Sequence, residues 1–381
     1  MEKIKKIGYV SFANPFKDRF DWSGTTYKIR ESIEKAGYEV VWIPLNAKGF
    51  FFKVSKAIRA ILQLITRKPW LTGCHFPLDA MLTGLSIDKV LVSKCDYLFF
   101  PGGAQYINYR NIDKPFIYYT DASIFGLIDY YIHGYSKYSY RIAEKLEMKA
   151  VQHARINIRS SKWAAESVVN DCGGNSTHNY VLEFGPNIDT NDIKRVETYH
   201  GGELRILFSG VDWERKGGET AFNTVKLLRD KGINAHLFIV GIRNLDKKYQ
   251  CEYVTNMGFL NKNNAEQYAQ YIRILEKCHI FLLPTKAECA GIVLSEAAAF
   301  GMPCYTYATG GITNYVIDGY NGRALSPGSS SNDFANIIIE DINNNRLKEF
   351  SDNDNELTKD KLSWEAWSRR FKAIMDKEGL S

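Results

Sequence analysis

None of the seven cysteines stands in a paired C-x-x-C spacing, which removes the usual zinc and redox knuckles. Cys74, Cys95, Cys172, Cys251, Cys278, Cys289 and Cys304 are scattered singly, as free thiols are in a reducing compartment. No stretch approaches the roughly 20 apolar residues that a membrane span needs. The opening MEKIKKIGYVSFA has no long apolar core and no small-residue cleavage site, so it reads as a basic lead into a strand and not as a secretory signal. The cytoplasm is the expected location. Neither half carries G-x-G-x-x-G after its first strand, and G-x-x-x-x-G-K-[ST] is absent too. These absences argue against nicotinamide, flavin and P-loop chemistry. No cofactor and no metal is expected.

What is present is a soluble-type composition, 45% apolar and 24% charged over 381 residues, longer than one hydrophobic core usually organises. The net charge of +6 is uneven: residues 1–190 hold 25 Lys and Arg against 18 Asp and Glu. Runs rich in Val, Ile, Phe and Tyr at 5–13, 39–45, 97–101, 115–120, 155–160 and 179–184 alternate with segments of helical spacing, among them 25–36 and 138–150. The second half repeats this at 205–210, 235–241, around Val254, 280–284 and 303–308, with helices over 216–231, 264–277 and 292–300. The alternation predicts an α/β protein of two doubly wound, Rossmann-like domains with parallel sheets. Their expected bounds are 1–190 and 200–362, with a ligand cleft between them. Residues 363–381 form an amphipathic helix whose Trp364, Trp367, Phe371 and Ile374 share one stripe; it is expected to cross back to the N-terminal domain.

The richest segment is IFLLPTKAECAGIVLSEAAAFGMP. A buried strand ends at Pro284, a loop holds Glu288 and Gly291, and a helix starts near Ile292. Such a helix terminus suits phosphate, and a glycine lets a ligand approach the backbone closely. Glu296, one turn inside, and Glu288, in the loop, could each accept hydroxyls of a sugar ring. A second loop, SGVDWERKGGE, offers Arg215 and Lys216 as cations for a leaving diphosphate.

Glu288 and Glu296 make an E-x7-E motif followed by A-x-G-x-P, and with the lysine loop and TYATGGITNYVIDGYNGRAL the chain resembles the retaining GT-B-fold glycosyltransferases of family 4. The resemblance implies transfer of a sugar from a nucleotide diphosphate donor to a glycan or lipid-linked acceptor, without a metal, in cell-surface polysaccharide synthesis. It implies catalytic roles for Glu288, Lys216 and Asp121. Arg215, Lys216, Glu296, Gly291, Ile292, Gly258, Phe259 and Gly24 would hold the donor. Relatives carry Arg directly after the phosphate-loop glycine, where this chain has Val211, and an acid near Thr313 or Asn314. Asp121 stands where many relatives have histidine. The rivals are a nucleotide-sugar epimerase on the same scaffold and a non-catalytic sugar-binding protein.

Two segments fall outside that likeness. The D-N-D of residues 352–354 lies in the polar run SDNDNELTKD and reads as a solvated loop, not a metal site. Residues 48–68 hold Lys48, Lys53, Lys56, Arg59, Arg67 and Lys68 with no acid, while Phe51, Val54, Ile58, Ile61, Leu62 and Ile65 recur at helical spacing. Either this helix buries its apolar face in the core, or it makes a peripheral contact with an anionic membrane.

Overall fold

The computed structural model describes residues 4–380; the first three residues of the basic lead and Ser381 lie outside it. The chain divides into two compact units, one of residues 1–182 with 368–381 and one of residues 183–367. Each is a parallel sheet flanked by helices.

In the first unit the strands are β1 (Lys6–Ser11), β2 (Glu39–Pro44), β3 (Tyr97–Pro101), β4 (Phe116–Thr120), β5 (Ile156–Arg159) and β6 (Asn179–Val181). Its helices are α1 (Thr25–Lys35), α2 (Phe50–Thr66), α3 (Pro77–Leu85), α4 (Lys89–Ser93), α5 (Ile124–Leu127), α6 (Lys137–His153) and α7 (Lys162–Asn170). The strand order is β2-β1-β3-β4-β5-β6, all parallel. Strands such as YLFFP and FIYYT are buried almost throughout, as a sheet covered on both faces requires.

The second unit has β7 (Leu204–Ser209), β8 (Ala235–Val240), β9 (Val254–Asn256), β10 (Ile280–Leu283), β11 (Cys304–Tyr307) and β12 (Gly322–Leu325). The helices are α8 (Gly218–Asp230), α9 (Ala265–Lys277), α10 (Ile292–Ala299), α11 (Ser331–Asn343) and α12 (Arg346–Asp360), and α13 (Trp364–Lys377) starts in this unit and continues into residues of the first. The order is β12-β11-β10-β7-β8-β9. In both sheets the order reverses beside the unit's first strand, between β1 and β3 and between β7 and β10. Ligands of open α/β sheets bind at this switch point, beyond the carboxyl ends of the strands.

The aromatic stripe of α13 is buried. Trp364 donates its indole N–H to Pro186 O at 2.8 Å and faces Phe184 in the second unit. Beyond the unit boundary after Trp367, Phe371 meets Tyr38 and Phe99 of the first unit at 5.9 and 6.2 Å between ring centroids.

One of the two readings of residues 48–68, and the loop reading of the D-N-D, fail. The first stretch forms a helix over residues 50–66, α2, but its apolar side is not in the core: Phe50, Phe51, Val54, Ile58, Ile61, Leu64 and Ile65 are all exposed. Among its residues only Ser55 is buried. The D-N-D is not a loop either. It lies inside α12, where Asp354 is wholly buried and accepts a hydrogen bond from Asn321 Nδ2 at 2.8 Å. The helical spacing of Leu347, Phe350, Asp354 and Leu357 was hidden because the third turn of the stripe is a carboxyl group.

Burial raises the Asp354 carboxyl well above the usual range, with the Asn321 bond acting in the opposite direction. A carboxyl whose folded-state pKa is raised stabilises the fold fully below its unfolded value, about 4, and that stabilisation is lost as pH rises through the folded value. Asp354→Asn, which keeps the bond to Asn321, is therefore expected to remove a stability loss between about pH 4 and neutrality, with a slope of at most about 1.4 kcal/mol per pH unit. Urea unfolding of parent and variant across that range measures the difference, and parallel pH profiles would count against it.

Candidate functional site

At the switch point of the second unit, two loops leave the adjacent ends of β7 and β10 and are laced together. The β7 loop tightens through Lys216 N donating to Asp212 O at 3.0 Å and Gly218 N donating to Trp213 O at 2.8 Å. Trp213 is wedged between Phe208 and Tyr249, at 5.4 and 4.8 Å between centroids. Gly217 then caps the start of α8 with φ of 75°, and a Cβ there would lie 1.9 Å from Pro284 O. Only glycine permits this left-handed turn and this approach to the end of β10. Across the gap Lys286 N donates to Arg215 O at 2.8 Å, and Arg215 Nη1 donates to Ala287 O at 3.0 Å.

This lacing sets the charges. Lys216, 8% exposed, folds back over Gly210, where a Cβ would meet its Cγ at 2.8 Å. Its Nζ pairs with Glu288 Oε2, and Arg215 Nη1 stands 3.8 Å from the same oxygen. Glu288 O also accepts from Gly311 N at 3.1 Å, so the β11 loop is tied in. Three residues further on, Gly291 caps α10 with no side chain bonded over that end, and Ile292 opens its first turn. Uncapped N–H groups and the positive end of the helix dipole favour an anion here.

Glu296, one turn inside α10, is wholly buried and has both oxygens engaged. Lys262 Nζ pairs with Oε1, and Tyr271 OH donates to Oε2 at 2.6 Å. Burial, reinforced by the neighbouring carboxylate, lifts the Tyr271 phenol well above its ordinary pKa, so it stays a donor. Lys262 also lies over the Tyr271 ring, 4.9 Å from its centroid. Gly258 follows β9 with φ of 67°, and its carbonyl accepts from Gly241 N at 2.7 Å. Arg243 stacks over Phe259 at 4.7 Å.

In the first unit, Gly24 caps α1 after two residues that share its left-handed backbone, Trp22 and Ser23, with φ of 48°, 58° and 94° in chain order. Strained non-glycine residues of this kind persist where the surroundings hold them. Thr26 is that anchor: its hydroxyl donates to Asp21 Oδ2 at 2.6 Å, and its carbonyl accepts from Tyr9 OH at 3.0 Å. The Trp22 ring lies 6.5 Å from that of Tyr119 in β4. Asp121, directly after β4, is half-buried beside the Thr120 hydroxyl.

Of the residues picked out from sequence, the structure joins Arg215, Lys216 and Glu288 in direct contact, with Gly291 and Ile292 on the same loop and helix. Glu296 forms a separate cluster. Its partners Lys262 and Tyr271 were not foreseen, because they come from a polar loop and an ordinary amphipathic helix. A buried tyrosine does require an acceptor, yet spacing alone cannot say which.

The model of the family described as glycosyl transferases group 1 matches residues 189–378. An uncharacterized glycosyltransferase of Methanocaldococcus jannaschii is 30% identical over 181 residues, which is 46% of this chain and 49% of that one, so the match spans about half the length of the curated relative. Among solved structures, the lipopolysaccharide outer core galactosyltransferase WaaB superposes with a TM-score of 0.66 at 14% identity, over 98% of this chain and 99% of that one. Anabaena HepE in complex with UDP and glucose gives a TM-score of 0.60 at 15% identity, over 98% of this chain and all (100%) of that one. The two parallel-sheet units are thus the Rossmann-like domains of the GT-B glycosyltransferase fold, and residues 189–378 belong to glycosyl transferases group 1.

Proposed function

We propose that this protein transfers a sugar, with retention of configuration, from a nucleoside diphosphate donor to a glycan or lipid-linked glycan acceptor in cell-surface polysaccharide synthesis. The observation that carries this reading is the convergence of Lys216, Arg215 and Glu288 beside the uncapped start of α10, at the switch point of the second sheet. Two cations and a helix terminus supply the positive charge that a diphosphate requires. Charge develops on the diphosphate as the bond from the anomeric carbon to its oxygen breaks. The acceptor hydroxyl attacks the face that the diphosphate leaves, and its proton passes to a diphosphate oxygen. With that oxygen as base, the reaction calls for no protein nucleophile and no divalent ion.

In this mechanism Lys216 exchanges its contact with Glu288 for the diphosphate. Glu288 then turns to the hydroxyls of the transferred sugar. Glu296 accepts the ribose hydroxyls once Lys262, whose side chain is 29% exposed, swings aside, while Tyr271 holds the other oxygen. Backbone at Gly258 and Phe259 reads the base, and Gly291 and Ile292 meet phosphate. The roles of Asp121 in orienting the sugar and of Gly24 near phosphate rest on the family likeness alone. The UDP bound in HepE and the lipopolysaccharide named for WaaB support the donor and acceptor classes.

Incubation with UDP-, GDP- and ADP-sugars, with nucleotide release as the readout, tests the reaction: slow donor hydrolysis is expected for one of them, unaffected by EDTA. Lys216→Ala is expected to lower kcat/KM by about 10²-fold or more, since one preorganised charge at a developing anion is worth about 2.7 kcal/mol or more. Activity within a factor of about three of the parent would remove Lys216 from the mechanism.

Glu296→Ala is expected to weaken binding of the free nucleoside diphosphate by about tenfold or more, because charge-assisted bonds to hydroxyls contribute about 1.5–3 kcal/mol each. Titration calorimetry measures this directly. Unchanged affinity would confine Glu296 to its bonds with Lys262 and Tyr271.

A further inference from the structure

Helix α2 has three sectors, because successive residues advance about 100° around the axis. The first faces its own unit: Ser55 donates to Asp79 Oδ1 at 2.5 Å, Arg59 pairs with Asp79, and Thr66 accepts from Trp70 Nε1 at 3.0 Å. Arg59 also covers the Phe76 ring at 5.2 Å. The second is a ridge of Phe50, Phe51, Val54, Ile58, Ile61, Leu64 and Ile65, with Phe50, Leu64 and Ile65 more than 70% exposed. The third carries exposed Lys53 and Lys56, with Lys48, Arg67 and Lys68 exposed just beyond the helix ends. A polar anchor on one side and bulky apolar groups left in solvent invert the usual arrangement, in which the apolar stripe of a helix faces the core.

We propose that α2 lies flat on an anionic membrane surface, its apolar ridge at the boundary of the acyl chains and its lysines and arginine against headgroup phosphates. Charge decides the occupant. Residues 48–68 contain no acid, so a second copy of this helix offers Lys53, Lys56 and Arg67 no counter-charge, whereas anionic headgroups do. Among the described residues no helix is long and apolar enough to cross a membrane, so the contact is peripheral. On the transferase reading, it would bring the first unit to a lipid-linked acceptor.

Flotation of the full chain with vesicles of phosphatidylcholine alone, and of phosphatidylcholine with an equal share of phosphatidylglycerol, at low and high salt, tests the proposal. Binding is expected only with phosphatidylglycerol present and is expected to fade with salt. Lys53→Glu with Lys56→Glu should lower the bound-to-free ratio by about tenfold or more, and Leu64→Glu with Ile65→Glu should abolish binding. All four side chains are exposed, so both variants should keep the parent's thermal unfolding profile. No binding to either vesicle overturns the proposal, as does equal binding to both at every salt. So does a concentration-dependent dimer, formed without lipid, that the Leu64 and Ile65 variant disperses. Flotation needs no donor, so its failure leaves the transferase reading standing, and a failure to bind nucleotide leaves the membrane contact standing.

Discussion

The pairing of Lys216 with Glu288 is the interaction on which the candidate site depends. It requires the β7 and β10 loops to meet, which in turn requires the absence of a side chain at Gly217, where the backbone touches Pro284 O. Absence of a side chain at Gly210 then lets the lysine stem fold back over the loop. A lysine and a carboxylate that are both mostly withdrawn from water must hold one another, or each bears an uncompensated desolvation cost. The pair thus keeps a cation in position in advance, and preorganised charge of this sort is the kind that stabilises a developing anion most.

Much of this was legible in the residues. Strands buried on both faces are near-continuous apolar runs, so most of the sheet could be marked out from composition and spacing alone. The E-x7-E segment announced its strand, loop and helix because each part is chemically distinct: IFLL, then small and polar residues, then IVLSEAAA. What escaped was chemistry that depends on tertiary placement. Lys262 and Tyr271 reach Glu296 from the loop after β9 and from α9, 34 and 25 residues away along the chain. β12 is four residues with a half-polar pattern, too short and mixed to stand out. In α12 a buried aspartate broke the apolar stripe that would have marked a helix.

Helix α2 shows the converse case. Its period was plain from the sequence, but period states only that one face differs from another. Which face meets the protein was settled by Asp79, a buried carboxylate on α3 that draws Ser55 and Arg59 toward it. Polar pairing thus outranked apolar burial in fixing the rotation of this helix, and the cost of the exposed ridge falls on whatever solvent surrounds it.

The division of the chain within α13 bears on how the protein is made. The first unit owns both the first 182 residues and those after Trp367, and Phe371 completes an aromatic cluster with Tyr38 and Phe99. During synthesis domains commonly fold in turn from the N-terminus. Here the ribosome must finish the whole second unit before the last wall of the first can be set in place. Until then, Tyr38 and Phe99 wait without their closing ring, so the half of the protein that is born first is the half that matures last.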